Sequence, residues 1–411
     1  MSSRTSSFVK AGEGQEGGGL PTRLVLLMAI GAGASSANSY YIQPLLDTLS
    51  HYFHVSSGIA GLLVTFAQLG YVLGLVLIVP LGDLLERRRL VTVVTALTGL
   101  GLLGMAAAPD IGALMALAVC VGCCTVTAQI FVPFAAHLAT AENRGRAVGR
   151  IMSGLLIGIL LARTVSGLIA DATNWRVVYL MAAGLMFILS LACRLELPSS
   201  PPTVTVSYAR LLRSVAGIYI SEPVLRRRGL YGGLTFATFG TFWTSIAFLL
   251  AGHYHYSEAV IGLFGLLGVA GAACAQVAGR MADAGWGRVA TGGFIALAAL
   301  SWLALWAGGW NIGWLVVGII SLDLGVQGTH ISNQSEVYRL RPEARSRLTT
   351  GYMVSYFAGG IVGSALAGTV YGAFGWPGVC VLGAVFPAVA FLAWFTEVRW
   401  PLRRMAHVPG E

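Results

Sequence analysis

Twelve runs of mostly apolar residues, each about as long as a helix needs to cross a bilayer, punctuate this chain and constrain its fold more than any other feature. They lie at 22–46, 57–80, 90–108, 111–137, 147–171 and 176–194, then at 229–251, 257–280, 289–308, 311–336, 349–374 and 377–397. Apolar runs can also be core helices of a soluble protein, but that reading needs charge to clothe the surface. With 411 residues, 56% of them hydrophobic and 10% charged, the chain has too little. Lipid cannot hydrogen-bond a backbone, so spans of this length close their amide groups internally as α-helices. The predicted fold is an all-α integral membrane protein with twelve transmembrane helices.

The spans read as two copies of one six-helix unit. Leu81-Gly82-Asp83-Leu84-Leu85-Glu86-Arg87-Arg88-Arg89, between the second and third spans, returns imperfectly as Gly279-Arg280-Met281-Ala282-Asp283-Ala284-Gly285-Trp286-Gly287-Arg288, with Asp83 and Asp283 200 residues apart. At a shift of 201, Glu142-Asn143-Arg144-Gly145-Arg146 is echoed by Glu343-Ala344-Arg345-Ser346-Arg347, and Trp175 by Trp376. The predicted organisation is a tail over 1–21, pseudo-symmetric halves over 22–195 and 229–397, a linker over 196–228 and a second tail over 398–411. An amphipathic helix is expected in the linker near 207–220.

Of the 26 Lys and Arg residues, 24 fall in tails or loops that an even number of spans puts on one side; Arg163 and Arg176 are the exceptions. Basic residues near span ends are retained in the cytoplasm. Both termini are therefore predicted to be cytoplasmic, in a multi-pass protein of the cell (inner) membrane. The net charge of +9 follows from that topology, and nucleic acid is not an expected partner.

Polar side chains within spans mark faces turned to other helices or to a wet cavity. The first span carries Asn38, Tyr41 and Gln43 beside Pro44, the fourth carries Gln129, and the seventh carries Phe239 and Trp243, rings suited to a flat or apolar solute. In the tenth, Asp323, Gln327, His330 and Gln334 step by four, three and four residues and share one stripe. Glu336, nearer the span end, is expected to pair with Arg339. An acid as deep as Asp323 must be paired or protonated, as a proton-coupling site requires. Arg163 is the one base at comparable depth, so Asp323 and Arg163 are the proton-coupling candidates. The alternatives are a permanent ion pair and separate partners. Gly154, Gly158 and Gly167 of the fifth span, with Gly359 and Gly368 at repeat positions, are expected to pack along the seam between halves. All six cysteines lie in spans without His or acids at ligand spacing, so neither metal nor cofactor is expected. No Gly-x-x-x-x-Gly-Lys-Ser/Thr is present, against an ATP-driven pump.

The repeated turn, its basic cluster Arg87-Arg88-Arg89 and the two six-helix halves resemble the major facilitator superfamily of secondary transporters over 22–397, with departures from the usual loop at Val79, Leu84 and Glu86. The resemblance implies alternating access between halves, with Gly82, Asp83, Arg87, Arg88, Asp283 and Arg288 as a cytoplasmic gate. It also places the fifth span at the seam and the tenth along the central cavity, so that Arg163 and Asp323 meet in one conformation and part in another. Tyr40-Tyr41-Ile42-Gln43-Pro44-Leu45-Leu46 and Tyr352-Met353-Val354-Ser355-Tyr356-Phe357 resemble drug and sugar efflux members and add Tyr356 to the cavity candidates. The expected function is proton-coupled export of a small organic solute by a monomer whose partners are solute, protons and bilayer. Import or uniport is the alternative within transport; a membrane-embedded enzyme or receptor is the alternative of another class, without the paired acid and nucleophile that an enzyme would need.

Overall fold

A computed structural model describes residues 20–140, 143–202, 207–269, 271, 277–281, 284–341 and 344–399. Asp283 and most of both tails lie outside the described residues. All regular structure among the described residues is helical. The first half holds Thr22–Ala37, Ser57–Leu77, Arg87–Ala106, Ile111–Cys124 continued by Thr127–Leu138, Arg144–Ala172 and Trp175–Glu196. The second holds Pro223–Gly252, Glu258–Leu263 continued by a 3-10 turn over Phe264–Gly268, Gly287–Ala307, Ile312–Tyr338 and Arg345–Arg399. That last helix is two spans divided at Gly375, whose φ of 63° a side chain would resist. The expected amphipathic helix is present as Tyr208–Ser221.

Among the described helices, side-chain caps occur at one end of the bundle, although the eighth span begins there at Ser257 without one. The second, fourth, sixth and tenth spans start at the end away from the arginine-rich loops. There Ser56, Asp110, Asn174 and Asn311 each accept a backbone N–H of the first turn. The third, fifth, seventh and ninth start at the basic end and have no side-chain cap. Arginines there oppose the helix dipole, and nearby acids offset them: Asp83 pairs with Arg87 at 3.3 Å and Glu86 with Arg88 at 3.2 Å.

Two spans that read as continuous are broken. The first ends as α-helix at Ala37, turns through 38–42 and closes with a 3-10 turn over Gln43–Leu45, after which a separate short helix runs over Leu46–Tyr52. Pro44, lacking an N–H, sits where the interruption costs no helical hydrogen bond. The fourth stops at Cys124, where the Thr125 hydroxyl donates to the Gly122 carbonyl at 2.8 Å, and restarts at Thr127.

The halves meet through a pair of glycine crossings related by the repeat. Gly167 of the fifth span faces Gly262 of the eighth, and Gly368 of the eleventh faces Gly61 of the second. A Cβ on Gly167 would lie 2.1 Å from the Glu258 carbonyl oxygen, and one on Gly368 2.4 Å from that of Ser57, so these backbones approach as no larger residue allows. The seam reading thus holds for Gly167 and Gly368 but not for the others. Gly154 and Gly158 pack on Ala29 and Gly33 of the first span, and Gly359 packs on Gly233 of the seventh, each inside its own half. Toward the basic end the fifth span stands freer: Met152 and Ile157 are exposed, and Gly145 and Gly149 have nothing within 4 Å of a built Cβ.

Candidate functional site at the seam between halves

The crossing of fifth and eighth spans makes room for a buried cation. Gly262 and Gly265 bring the eighth span against Arg163, where a Cβ on Gly265 would lie 2.8 Å from the arginine's own. Arg163 is only 3% exposed, and its Nε donates to Gln43 Oε1 at 2.6 Å. Its guanidinium stacks 3.9 Å from the Trp243 ring centroid, with Tyr40 at 4.9 Å and Phe239 at 5.9 Å, so aromatic faces supply the negative potential. Trp243 in turn donates through Nε1 to Asp323 Oδ1 at 3.4 Å, and Asp323 is 4% exposed. Arg163 and Asp323 therefore do not form a direct ion pair; an indole lies between them. Arg163 and Gln43 come from the first half, Trp243 and Asp323 from the second. Nη2 of Arg163 is buried without a hydrogen-bond partner.

The break in the first span explains why Gln43 reaches this point. After Ala37 the chain no longer follows helical periodicity, so adjacent tyrosines separate: Tyr40 covers the guanidinium, whereas Tyr41 is packed with its carbonyl accepting from Ser166 at 2.6 Å. Asn38 lies apart, inside the first half, with its amide 3.4 Å from Met186 Sδ and its Oδ1 unpartnered. Tyr40 was not among the cavity candidates, and with the helix ended there, no sequence pattern distinguishes it from Tyr41.

A second aromatic group continues from the first through Phe236, which stacks on Phe239 at 5.3 Å and on Tyr356 at 4.1 Å. Tyr356 lies 4.5 Å from the His330 ring, and His330 Nδ1 is 3.1 Å from the Tyr352 hydroxyl. Across the seam Phe357 contacts Tyr71 at 4.4 Å, and Gln129 donates to the Tyr71 hydroxyl at 3.2 Å. Gln327, His330 and Gln334 are half-buried along the expected stripe. Of the cavity candidates, these contacts join Gln43, Gln129, Phe239, Trp243, His330 and Tyr356, whereas Asn38 and Tyr41 pack elsewhere.

At the basic end, Arg87 donates through Nε to the Gly82 carbonyl at 3.0 Å, contacts Asp83 and lies 6.0 Å over the Phe134 ring. Arg288 lies with Arg227 and Arg228 around Glu397, at 3.7–3.8 Å each, while the Tyr231 hydroxyl donates to Glu397 at 2.8 Å. Arg228 continues inward to Thr291 and Asn333 at 3.3 and 3.4 Å. This carboxylate centre was missed in the sequence. Its repeat echo was visible, since Glu196 stands 201 residues earlier and pairs with Arg23 at 3.7 Å. Glu336 does pair with Arg339, at 3.7 Å. No cluster of metal-ligating residues occurs among the described residues.

Two helical bundles crossing at a pseudo-symmetric seam, with ionisable and aromatic groups at its centre, have the architecture of a membrane transporter. A sequence profile of the Major Facilitator Superfamily matches residues 28–340, and the chain belongs to that superfamily. Over 377 residues it is 48% identical to the uncharacterized transporter YgaY of Escherichia coli O157:H7, spanning 92% of this chain and 96% of that protein. It is 34% identical over 394 residues to the probable transporter SCO4007 of Streptomyces coelicolor, spanning 94% and 89%. In fold it resembles a bacterial homologue of the human lysosomal transporter Spinster, solved inward-facing and unoccupied, with a TM-score of 0.75 at 14% identity over 94% of this chain and 98% of that one. The nucleoside transporter NupG gives a TM-score of 0.74 at 15% identity, over 91% and 99%. The protein is a multi-pass membrane transporter of this type.

Proposed function

We propose that the protein is a proton-coupled exporter of a small organic solute in the drug and sugar efflux branch, resident in the cell (inner) membrane as a monomer with both termini and the basic end in the cytoplasm. The observation that carries the proton coupling is the chain Gln43, Arg163, Trp243, Asp323, in which a buried base from one half and a buried acid from the other are joined through an indole. Rocking of the halves moves Arg163 and Gln43 relative to Trp243 and Asp323. With the cation close, the carboxylate's charge is supported; with it withdrawn, a lone charge in the membrane interior is costly and the carboxyl takes up a proton. Proton binding and domain position are thereby linked. The ring surface of Phe236, Phe239, Trp243 and Tyr356, edged by Gln129, Gln327, His330 and Gln334, suits a flat solute with a few polar groups. Gly82, Asp83, Arg87 and Arg88, with Asp283 and Arg288 of the second half, form the cytoplasmic gate.

The test is a panel of solutes offered to energised vesicles under an imposed pH gradient. Solute-dependent collapse of the gradient is the expected result. Solute flux that ignores both pH gradient and voltage would replace export by uniport.

A further inference from the structure

A trough of about 780 Å³ lies where the second span of the first half, the linker helix and the seventh, eleventh and twelfth spans of the second half come together. Its floor is made by small residues where the seventh and eleventh spans approach: Gly229, Gly233, Ala237, Ala358 and Gly359. Its walls are apolar and come from three parts of the chain, with Val76 and Pro80 of the first half, Leu212 and Val215 of the linker helix, and Val354 and Phe386 of the second half. Leu230 and Val362 at its rim are about half exposed, so in a membrane they face acyl chains.

One end of the trough has a different character. Arg226 lines it, and one turn away the hydroxyls of Ser355 and Tyr219, hydrogen-bonded at 3.0 Å, lie against Gly229. Arg226 is exposed and has no ion-pair partner among the described residues, unlike its neighbours Arg227 and Arg228, which are held by Glu397. Arg210 and Arg213 on the linker helix are likewise exposed and unpaired among the described residues. That helix is amphipathic, with Ile220 70% exposed, the character of a segment lying in the lipid headgroup plane. An apolar slot that ends in a cation unpaired among the described residues, with two hydroxyls one turn away, is complementary to an anionic amphiphile. We propose that the trough is a binding site for an anionic glycerophospholipid, one acyl chain along the floor of small residues and the phosphate on Arg226, with Arg210 and Arg213 adding attraction from the linker helix.

The site is tested with the full-length protein in proteoliposomes of phosphatidylcholine containing a trace of photoactivatable phosphatidylglycerol or, in parallel, photoactivatable phosphatidylcholine. Crosslinks are mapped by peptide mass spectrometry. The expected result is labelling of 212–219 and 354–362 that is about fivefold stronger with phosphatidylglycerol, the preference one basic residue supplies at an anionic headgroup. Arg226→Gln should narrow the difference between the two lipids to what Arg210 and Arg213 supply, and Ala358→Trp, which fills the trough, should remove labelling by both. Val354→Phe serves the same purpose if Ala358→Trp does not yield a monodisperse protein. Equal labelling by both lipids in the unmodified protein, undiminished phosphatidylglycerol labelling in Arg226→Gln, or an Ala358→Cys self-crosslink showing that a second copy covers the trough would each overturn the proposal.

Discussion

Arg163 is held by one amide and three aromatic faces rather than by a carboxylate, which places Trp243 between the base and the acid. Trp243→Phe keeps a ring under the guanidinium but deletes the N–H to Asp323. It is expected to shift the pH profile of transport while the maximal rate stays within about tenfold, the loss of one hydrogen bond of about 1 kcal/mol. Trp243→Ala also removes the cation–π contact, about 1–2 kcal/mol when desolvated, and should lower the rate further. Identical pH profiles for Trp243→Phe and the unmodified protein would remove the indole from the coupling path. Asp323→Asn should abolish flux driven by a pH gradient yet leave solute exchange measurable in counterflow; undiminished gradient-driven flux in that variant would move the coupling site elsewhere.

Among elements, the ends of the sixth and twelfth spans offer a direct comparison, because the duplication placed an acid at each and burial separated their worth. Glu196 pairs with Arg23 in the open, with side chains 47% and 77% exposed, and Glu196→Gln should cost less than about 1 kcal/mol. Glu397 is 12% exposed and offsets three arginines, one of them Arg228 at 3%. Removing its charge leaves Arg228 in a poorly solvated place, and Glu397→Gln should cost on the order of 3 kcal/mol. Thermal unfolding in detergent reads the difference, and equal midpoints for the two variants would contradict it. At the turn after the second span, Asp83→Asn removes the carboxylate that Arg87 contacts beside the third helix's N-terminus. Impaired transport with normal membrane insertion is expected; normal transport would strip that turn of a gating role.

At the scale of the whole molecule, the end opposite the arginines is sealed by contacts from both halves, and the seal carries acids. Thr48 donates to Glu258 across the seam, and Asp47 beside it pairs with His51 at 3.6 Å. Burial pushes the Asp47 carboxyl above its ordinary value, with His51 opposing and the charge of Glu258 reinforcing the rise. A group that holds its proton more tightly in the sealed arrangement stabilises that arrangement as pH falls and weakens it as pH rises through the raised value. Spin-label distances between His54→Cys and His253→Cys should therefore shorten as the pH on that side is lowered, and the dependence should weaken in Asp47→Asn. Distances indifferent to pH in the unmodified background would refute the linkage.

Span number, duplication and the one-sided placement of arginines were legible in the chain because each depends on a one-dimensional property. Bilayer thickness sets run length, and repeats survive as fixed shifts. Asp323 and Arg163 stood out for the same reason, as charges at a depth where charge is costly. What the sequence could not convey was partnership. Gly158 and Gly167 look alike in the fifth span, yet one packs within its half and the other across the seam. The repeat position of Arg163 in the eleventh span is Ser364, bonded to Thr65 at 2.9 Å, so the duplicated seams share packing and differ in chemistry. Tyr40 and Tyr41 are separated only by a helix break, and the indole between Arg163 and Asp323 arrives from a third span. Such contacts join residues tens to hundreds of positions apart and depend on which faces two bundles turn to each other, a choice made by close packing in three dimensions.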